Sequence, residues 1–162
     1  MDLQLTGKVA VITGSGRGIG YASALALAQE GARIVITDIN PESVEQAVGS
    51  LQQAGHDAIG AVLDVCDPEQ VQTMAELAAH KFGGIDILVN NAGFTRDKYL
   101  LKMPVEDWDS VVDTILKGAY YCTKAALPSM MERKWGRVIN IASRAHWGNP
   151  GQTNYSAAKA GL

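Results

Sequence analysis

The sequence predicts an α/β protein built on a doubly wound parallel sheet. Short apolar segments alternate along the chain with longer segments in which apolar residues recur at helical spacing. The apolar segments are nearly continuous, which is typical of parallel strands covered by helices on both faces of the sheet. Hydrophobic residues make up 47% of the 162 residues, which is enough for such a core. The chain contains no internal repeat or linker, so we expect a single domain over residues 1–162.

Five short apolar segments are expected to form the strands. They are rich in β-branched residues and are bounded by glycine, proline, asparagine or aspartate. Right-handed crossovers between such parallel strands favour a Rossmann-like arrangement. In chain order the predicted strands are Lys8–Thr13, Arg33–Asp38, Ala58–Asp64, Ile85–Asn90 and Arg137–Ala142.

Helical segments occupy the intervals between these strands, and residues favoured at helix ends mark their limits. Alanine and leucine fill the first helix, and Gly31 is its expected C-cap. An asparagine or aspartate followed by proline supplies the start of the second and third helices. A longer loop over about 92–104 precedes a long helix. The predicted helices are Ile19–Glu30, a helix from Asn40-Pro41 to Gly55, one opening at Asp67-Pro68, Val105–Met131, and a last one at the end of the chain.

Composition and charge exclude several classes of protein. The formal net charge of −3 argues against nucleic acid as a partner. Cys66, Cys122 and the three histidines have no metal-ligand spacing, so we expect reduced thiols and no metal site. No apolar run is long enough to span a bilayer, and no segment has the pattern of a signal peptide. We therefore predict a cytoplasmic protein without a membrane partner.

A glycine-rich loop joins the first strand to the first helix. Backbone N–H groups and the positive end of the helix dipole converge there, and glycine allows the backbone to approach a ligand, so we expect a pyrophosphate site. The spacing fits neither GxGxxG nor the Walker GxxxxGK[ST] pattern, but it fits TGxxxGxG. The loop reads Thr13-Gly14-Ser15-Gly16-Arg17-Gly18-Ile19-Gly20.

Near the end of the chain, Tyr155 and Lys159 form a YxxxK pair. Residues i and i+4 share one face of a helix, so the phenol and the ammonium are expected side by side. The lysine charge stabilises the phenolate, which allows proton transfer near neutral pH. Ser143 follows the fifth predicted strand, at the carboxyl end of the sheet where open α/β folds bind ligands.

These motifs, with the NNAG segment Asn90–Gly93, resemble those of the short-chain dehydrogenase/reductase family. Within the family the chain is most similar to 3-oxoacyl-[acyl-carrier-protein] and acetoacetyl-CoA reductases, through Asn90–Asp97, Leu100–Met103 and Gly148–Leu162. The resemblance covers nearly the whole chain. It implies an NAD(P)-dependent oxidoreductase that acts on a small-molecule or acyl-thioester substrate, most of all a 3-oxoacyl thioester, and a homotetrameric parent enzyme.

The resemblance also implies which residues bind the nicotinamide cofactor. Asp38 ends the second strand, where a carboxylate accepts hydrogen bonds from the adenosine ribose and repels a 2′-phosphate, which favours NAD. Arg17 favours NADP, which stays the alternative, because a basic residue in this loop accompanies NADP in many relatives. Besides the glycine loop and Asp38, the implied cofactor-binding residues are Ile39, Asp64, Val65, Asn91, Ala92, Gly93, Tyr155 and Lys159.

The resemblance assigns catalytic roles to three residues. Ser143 holds the substrate carbonyl, Tyr155 transfers the proton, and Lys159 binds the nicotinamide ribose and assists the tyrosine. Ser143 and Tyr155 are 12 residues apart, one fewer than is commonest in the family, but Ala142, at the commoner spacing, has no hydroxyl. Ile115 stands where relatives have an asparagine that holds a water. An aliphatic side chain can neither hold that water nor kink the helix through an amide, so we expect an impaired proton relay.

The chain stops three residues after Lys159, with five predicted strands where the Rossmann order has six. Relatives continue with further strands and a substrate lid, so we expect a sheet that is incomplete at the C-terminus and exposes an apolar edge. Two functional interpretations follow: an oxidoreductase, or a truncated, catalytically incompetent nucleotide-binding remnant of one. A purely structural protein of the same shape would explain none of the polar residues.

Overall fold

The computed structural model describes residues 3–162, which form a five-stranded parallel sheet flanked by helices. The strand order is β3-β2-β1-β4-β5, so the predicted doubly wound, Rossmann-like fold class is confirmed. Four of the strands are shorter than predicted: β1 by one residue at each end, and β3, β4 and β5 by two residues at one end. The strands are β1 (Val9–Ile12), β2 (Arg33–Asp38), β3 (Ala58–Val62), β4 (Ile87–Asn90) and β5 (Arg137–Asn140).

Six α-helices connect and flank the strands, and their ends follow the capping signals in the sequence. The Asn40 side chain accepts a hydrogen bond from the Ser43 amide at 2.9 Å, and Asp67 caps the third helix in the same way. Gly31, with φ of +86°, lies one residue beyond the C-cap of the first helix. The helices are α1 (Gly18–Gln29), α2 (Pro41–Gln53), α3 (Pro68–Phe82), α4 (Val105–Val112), α5 (Gly118–Glu132) and α6 (Thr153–Gly161).

The long helix expected over Val105–Met131 is not a continuous α-helix, and that prediction was wrong in this detail. A π-helical turn, Asp113–Lys117, joins α4 to α5 with Ile115 at its centre. Gly118 follows the turn, and a Cβ there would lie 2.6 Å from Cγ2 of Val65, so the helix backbone packs directly on that side chain. The helix is therefore distorted at Ile115 although no side-chain amide is present to cause it.

The apolar core has two large clusters, one on each face of the sheet, and a third, small one around Ile115. Alternate residues of β1 point to opposite faces: Val9 and Val11 pack with α3 and α5, and Ala10 and Ile12 pack with α1 and α2. The expectation of a sheet buried on both faces is wrong for β5, whose four residues are all exposed. Because β5 is the outer strand with β4 as its strand neighbour, Val138 and Ile139 form part of an exposed apolar edge.

Both cysteines are free thiols on the α5 side of the sheet. Burial raises the pKa of Cys122 to about 12, and burial is also the main cause that raises the pKa of the half-buried Cys66. Across residues 3–162, no three His, Cys, Asp or Glu side chains are grouped closely enough to hold a metal ion. In the same range, no helix has the length and apolar content needed to cross a bilayer.

Candidate active site and cofactor cleft

Thr13 joins the glycine loop to the NNAG segment at the carboxyl ends of β1 and β4. Its side-chain Oγ1 accepts hydrogen bonds from the backbone N–H groups of Asn91 and Ala92, each at 3.0 Å. In return, Asn91 Nδ2 donates to the carbonyl oxygens of Thr13 at 2.9 Å and Gly14 at 3.0 Å. The two segments, which are far apart in the sequence, therefore form one hydrogen-bonded unit.

Ser15 holds the glycine loop from within. Its hydroxyl donates to the Ile12 carbonyl at 2.7 Å and accepts from the Thr37 amide at 3.0 Å, and its own amide donates to the Thr37 carbonyl at 2.8 Å. The residue has no exposed surface. In this conformation the hydroxyl and amide of Ser15 join the loop to β1 and β2, and contact of Ser15 with a cofactor stays a prediction.

Three glycines shape the loop into a concave backbone surface. Gly14 and Gly18 have φ of +62° and +59°, which an L side chain rarely adopts. A Cβ on Gly20 would lie 2.8 Å from Cα of Ser15 and would also meet the Gly14 carbonyl oxygen, so α1 approaches the loop as closely as backbones can. No atom lies within 4 Å of a Cβ built on Gly18, which leaves the space above it open. The first N–H groups of α1, from Gly18 to Gly20, have no acceptor within the helix and can bind an anion.

Asp38 stands beside this loop at the end of β2. One carboxylate oxygen, Oδ2, accepts from the Gly16 amide at 3.1 Å, and the other, Oδ1, accepts from the Asn40 amide at 3.1 Å. These bonds fix the carboxylate at the rim of the cleft. Arg17 is exposed, and within residues 3–162 it forms no ion pair with Asp38 or any other acid.

A cleft of about 540 Å³ opens between the glycine loop, the ends of β2–β4 and the π-helical turn. Its volume lies in the range of sites that hold small-molecule ligands. Asp64 Oδ1 accepts from the Cys66 amide at 2.9 Å, which orders the turn after β3 along one wall. The predicted cofactor residues that line the cleft are Gly14, Arg17, Asp38, Ile39, Asp64, Val65, Asn91, Ala92 and Gly93.

Tyr155 and Lys159 lie on α6, at the same end of the sheet. Lys159 is only 5% exposed, and its Nζ donates to the Ile141 carbonyl oxygen at 2.6 Å. The same Nζ lies 5.7 Å from the centre of the Tyr155 ring, as the shared helix face predicts. Burial lowers the pKa of Lys159, because the ammonium has lost much of its hydration.

Ser143 lies two residues beyond the carbonyl that Lys159 binds. It starts a short 3₁₀ helix, Arg144–Trp147, and its Oγ accepts from the Ala145 amide at 3.2 Å. This short helix packs against α6. The structure thus brings Ser143, Tyr155 and Lys159 to adjoining segments, although Ser143 lines a separate cavity and not the large cleft.

Asn154 is a positioning residue that none of the sequence motifs marks. It is fully buried, and its Nδ2 donates to the carbonyl oxygens of Arg96 at 3.1 Å and Asp107 at 2.9 Å. Its Oδ1 accepts from the Tyr155 amide at 2.8 Å. Asn154 therefore ties the start of α6 to the loop before α4 and to the first turn of α4. The signal available in the sequence was a polar residue in the first helical turn, directly before Tyr155.

Ile115 lies between the NNAG segment and α6. It is 2% exposed and packs in a small cluster with Val111, Ala158 and the partly buried Tyr155. A Cβ on Gly93 would lie 2.9 Å from Ile115 Cγ1, so the two segments are in close contact. The position where the family resemblance implies an asparagine is thus filled by apolar packing.

Comparisons with known proteins agree with this architecture. Residues 8–162 match the family model for short chain dehydrogenase. The chain is 42% identical over 161 residues to a 3-oxoacyl-[acyl-carrier-protein] reductase from Thermotoga maritima, covering 99% of this chain and 65% of the relative. It is 46% identical over 155 residues to the (2S)-[(R)-hydroxy(phenyl)methyl]succinyl-CoA dehydrogenase subunit BbsD from Thauera aromatica, covering 96% and 62%.

A solved structure shows the same fold over nearly the whole of the chain. A crystal structure from Agrobacterium tumefaciens, assigned to a gluconate dehydrogenase, superposes with a TM-score of 0.95 at 34% identity, covering 99% of this chain and 64% of that one. The chain thus spans about two thirds of the length of the proteins it matches.

Proposed function

Because the chain belongs to the short-chain dehydrogenase family, we propose that it carries the cofactor-binding and catalytic residues of an oxidoreductase that interconverts a carbonyl and a hydroxyl group. A bound nicotinamide cofactor would supply or accept the hydride. The observation that carries the proposal is the buried Lys159, which is bonded to the end of the β5 segment beside Tyr155. A protein that only binds nucleotides has no need of this pair, so the interpretation as an inactive remnant gains no support.

The residues of the large cleft fit a dinucleotide. The open space above Gly18, the positive φ angles and the free N–H groups at the start of α1 suit a pyrophosphate. The wall formed by the residues at the ends of β2 and β3, among them Asp38 and Val65, suits an adenosine. We propose that NAD is preferred, because the Asp38 carboxylate is held at the rim by two amides and would oppose a 2′-phosphate. Arg17 keeps NADP as the alternative.

Proton transfer is assigned to the phenol of Tyr155. In the direction of reduction, its hydroxyl gives a proton to the substrate oxygen while the Ser143 hydroxyl donates a hydrogen bond to the same oxygen. The Lys159 ammonium stabilises the phenolate that remains. The bond from Lys159 to the Ile141 carbonyl holds the ammonium in place, and Asn154 holds the helix that carries both side chains.

We propose an acyl thioester as the substrate, with a 3-oxoacyl thioester as the leading candidate. The names of two relatives support this class: one acts on 3-oxoacyl groups of a carrier protein, and the other on a hydroxylated succinyl-CoA. In both substrates the acyl group is bound to a carrier through a thioester.

The test compares Tyr155→Phe with Tyr120→Phe, a control on the exposed face of α5. The assay measures NADH oxidation with an acetoacetyl thioester, and a fluorescence titration measures NADH binding. We expect Tyr155→Phe to lose about 10²-fold or more of the turnover while it retains NADH affinity, and Tyr120→Phe to match the wild type. Turnover by Tyr155→Phe at the wild-type rate would refute the catalytic assignment.

A further inference from the structure

A second cavity, of about 440 Å³, opens beside Ser143 and is separate from the large cleft. The short helix Arg144–Trp147 forms one side, and Asn149 and Gln152 form the other. Its lining is mainly polar, and it shares Ser143 with the proposed catalytic group. A substrate whose carbonyl is held by Ser143 would therefore place its neighbouring atoms at or in this cavity.

Arg144 is the cation that lines this cavity. Within residues 3–162, its guanidinium takes part in no ion pair, hydrogen bond or ring contact, so its charge has no partner among them. Two cations of the loop before α4 differ from Arg144 in having partners. Lys98 forms an ion pair with Asp107 at 2.7 Å, and the Arg96 guanidinium lies 5.5 Å from the centre of the Phe94 ring. Arg144 therefore offers a planar set of donors that suits a carboxylate or a phosphate.

The opposite wall is held by a chain of amide hydrogen bonds. Asn149 Nδ2 donates to Gln152 Oε1 at 2.7 Å, and Gln152 Nε2 donates to Asp97 Oδ2 at 2.8 Å. The Asp97 carboxylate is the last group in this series of hydrogen bonds, and one of its oxygens accepts the bond from Gln152. Asp97 does not line the cavity. The cavity itself is therefore lined by one positive charge and no negative charge.

The backbone that carries Arg144 is also fixed. The Ser143 carbonyl accepts from the His146 amide at 3.1 Å and contacts the His146 Nδ1 atom at 2.5 Å. The Gly148 amide closes the turn by donating to the Ala145 carbonyl at 2.9 Å. A preorganised turn lowers the entropy that binding would otherwise cost, which is typical of a recognition site.

We propose that this cavity binds an anionic group of the substrate and that Arg144 is the residue that selects it. The inference rests on the proposed function and narrows its substrate to acyl thioesters with an oxyanion that can reach the Arg144 guanidinium while Ser143 holds the carbonyl. That oxyanion is either a carboxylate on the acyl chain or a phosphate of the thiol carrier, since an arginine fork binds both.

The test measures binding by calorimetry and by the shift of the Trp147 indole N–H signal in NMR spectra. Three probes separate the two sources of the oxyanion: the succinyl thioester of N-acetylcysteamine, its uncharged isostere the 4-methylpentanoyl thioester, and phosphopantetheine. The variants are Arg144→Gln and the control Lys102→Met, which removes a cation outside the cavity. Circular dichroism verifies that each variant is folded.

We expect either the succinyl thioester or phosphopantetheine to bind about tenfold or more weakly to Arg144→Gln than to the wild type. Binding of the isostere should not depend on Arg144, and Lys102→Met should match the wild type for every probe. The inference would be overturned if each anionic probe bound the wild type and Arg144→Gln with the same affinity, or if neither probe showed saturable binding to the wild type. Because binding is read without turnover, a failure of the Tyr155 experiment is distinguishable from a failure here.

Discussion

Replacing Thr13 with valine tests the junction between the glycine loop and the NNAG segment. Valine preserves the shape of the buried side chain and removes the oxygen that accepts from the amides of Asn91 and Ala92. Both amides are partly buried, so each lost bond should cost about 1 kcal/mol of unfolding free energy. The expected total is roughly 2 kcal/mol, a large share of the stability of a domain of this size.

The assay is urea unfolding followed by circular dichroism. With a urea dependence of about 2 kcal/mol per molar, we expect the midpoint of the Thr13→Val variant to fall by about 1 M. Thr13→Ser is the matched control, because it keeps the acceptor oxygen and loses one methyl group, for a cost of about 0.8 kcal/mol. A valine variant as stable as the serine variant would refute the reasoning that the acceptor joins the two loops.

Other predictions follow from the packing and the pKa shifts. Ile115→Asn should raise turnover by supplying the amide that the proton relay lacks, and should lower the free energy of unfolding by about 1–3 kcal/mol because a buried amide replaces apolar contacts. Steady-state kinetics that show no gain in turnover would contradict the impaired relay. Gly20→Ala should abolish NADH binding in a fluorescence titration because its Cβ meets the loop backbone, whereas Gly49→Ala, which meets nothing, should bind as the wild type does. A thiol with a raised pKa holds less reactive thiolate at a given pH. Cys122, with a pKa of about 12, should therefore react with a disulfide reagent at pH 8 only after unfolding, and half-buried Cys66 should react first. Rapid reaction of both thiols in the folded protein would contradict this.

Much of the fold could be predicted because each local signal agreed with the global arrangement. The apolar segments gave β2 its observed bounds, and the asparagine-proline and aspartate-proline pairs marked the starts of α2 and α3. The π-helical turn could not be predicted, since Asp113–Lys117 has the composition of an ordinary helix. The turn lies where Ile115 and Gly118 pack against Gly93 and Val65, and these tertiary contacts follow from no local pattern.

The motifs predicted which residues belong to the candidate site. They predicted less well what each of these residues contacts. Tyr155 and Lys159 share a helix face as i, i+4 spacing requires. The motif alone could not reveal that the side chain of Ser15 is turned into the protein, because that depends on how β2 lies beside β1. The part played by Asn154 depends likewise on the loop before α4, whose position follows from no local pattern.

The central claim, a nicotinamide site with Asp38 at its rim, is tested most directly by titrating the protein with NADH and with NADPH while the nicotinamide fluorescence is followed. We predict saturable binding that favours NADH, and an Asp38→Asn variant in which the preference for NADH over NADPH is reduced by about tenfold or more, because the charge that opposes the 2′-phosphate is gone. A preference of the wild type for NADPH would contradict the role of Asp38, and no saturable binding of either dinucleotide would contradict the cofactor site itself.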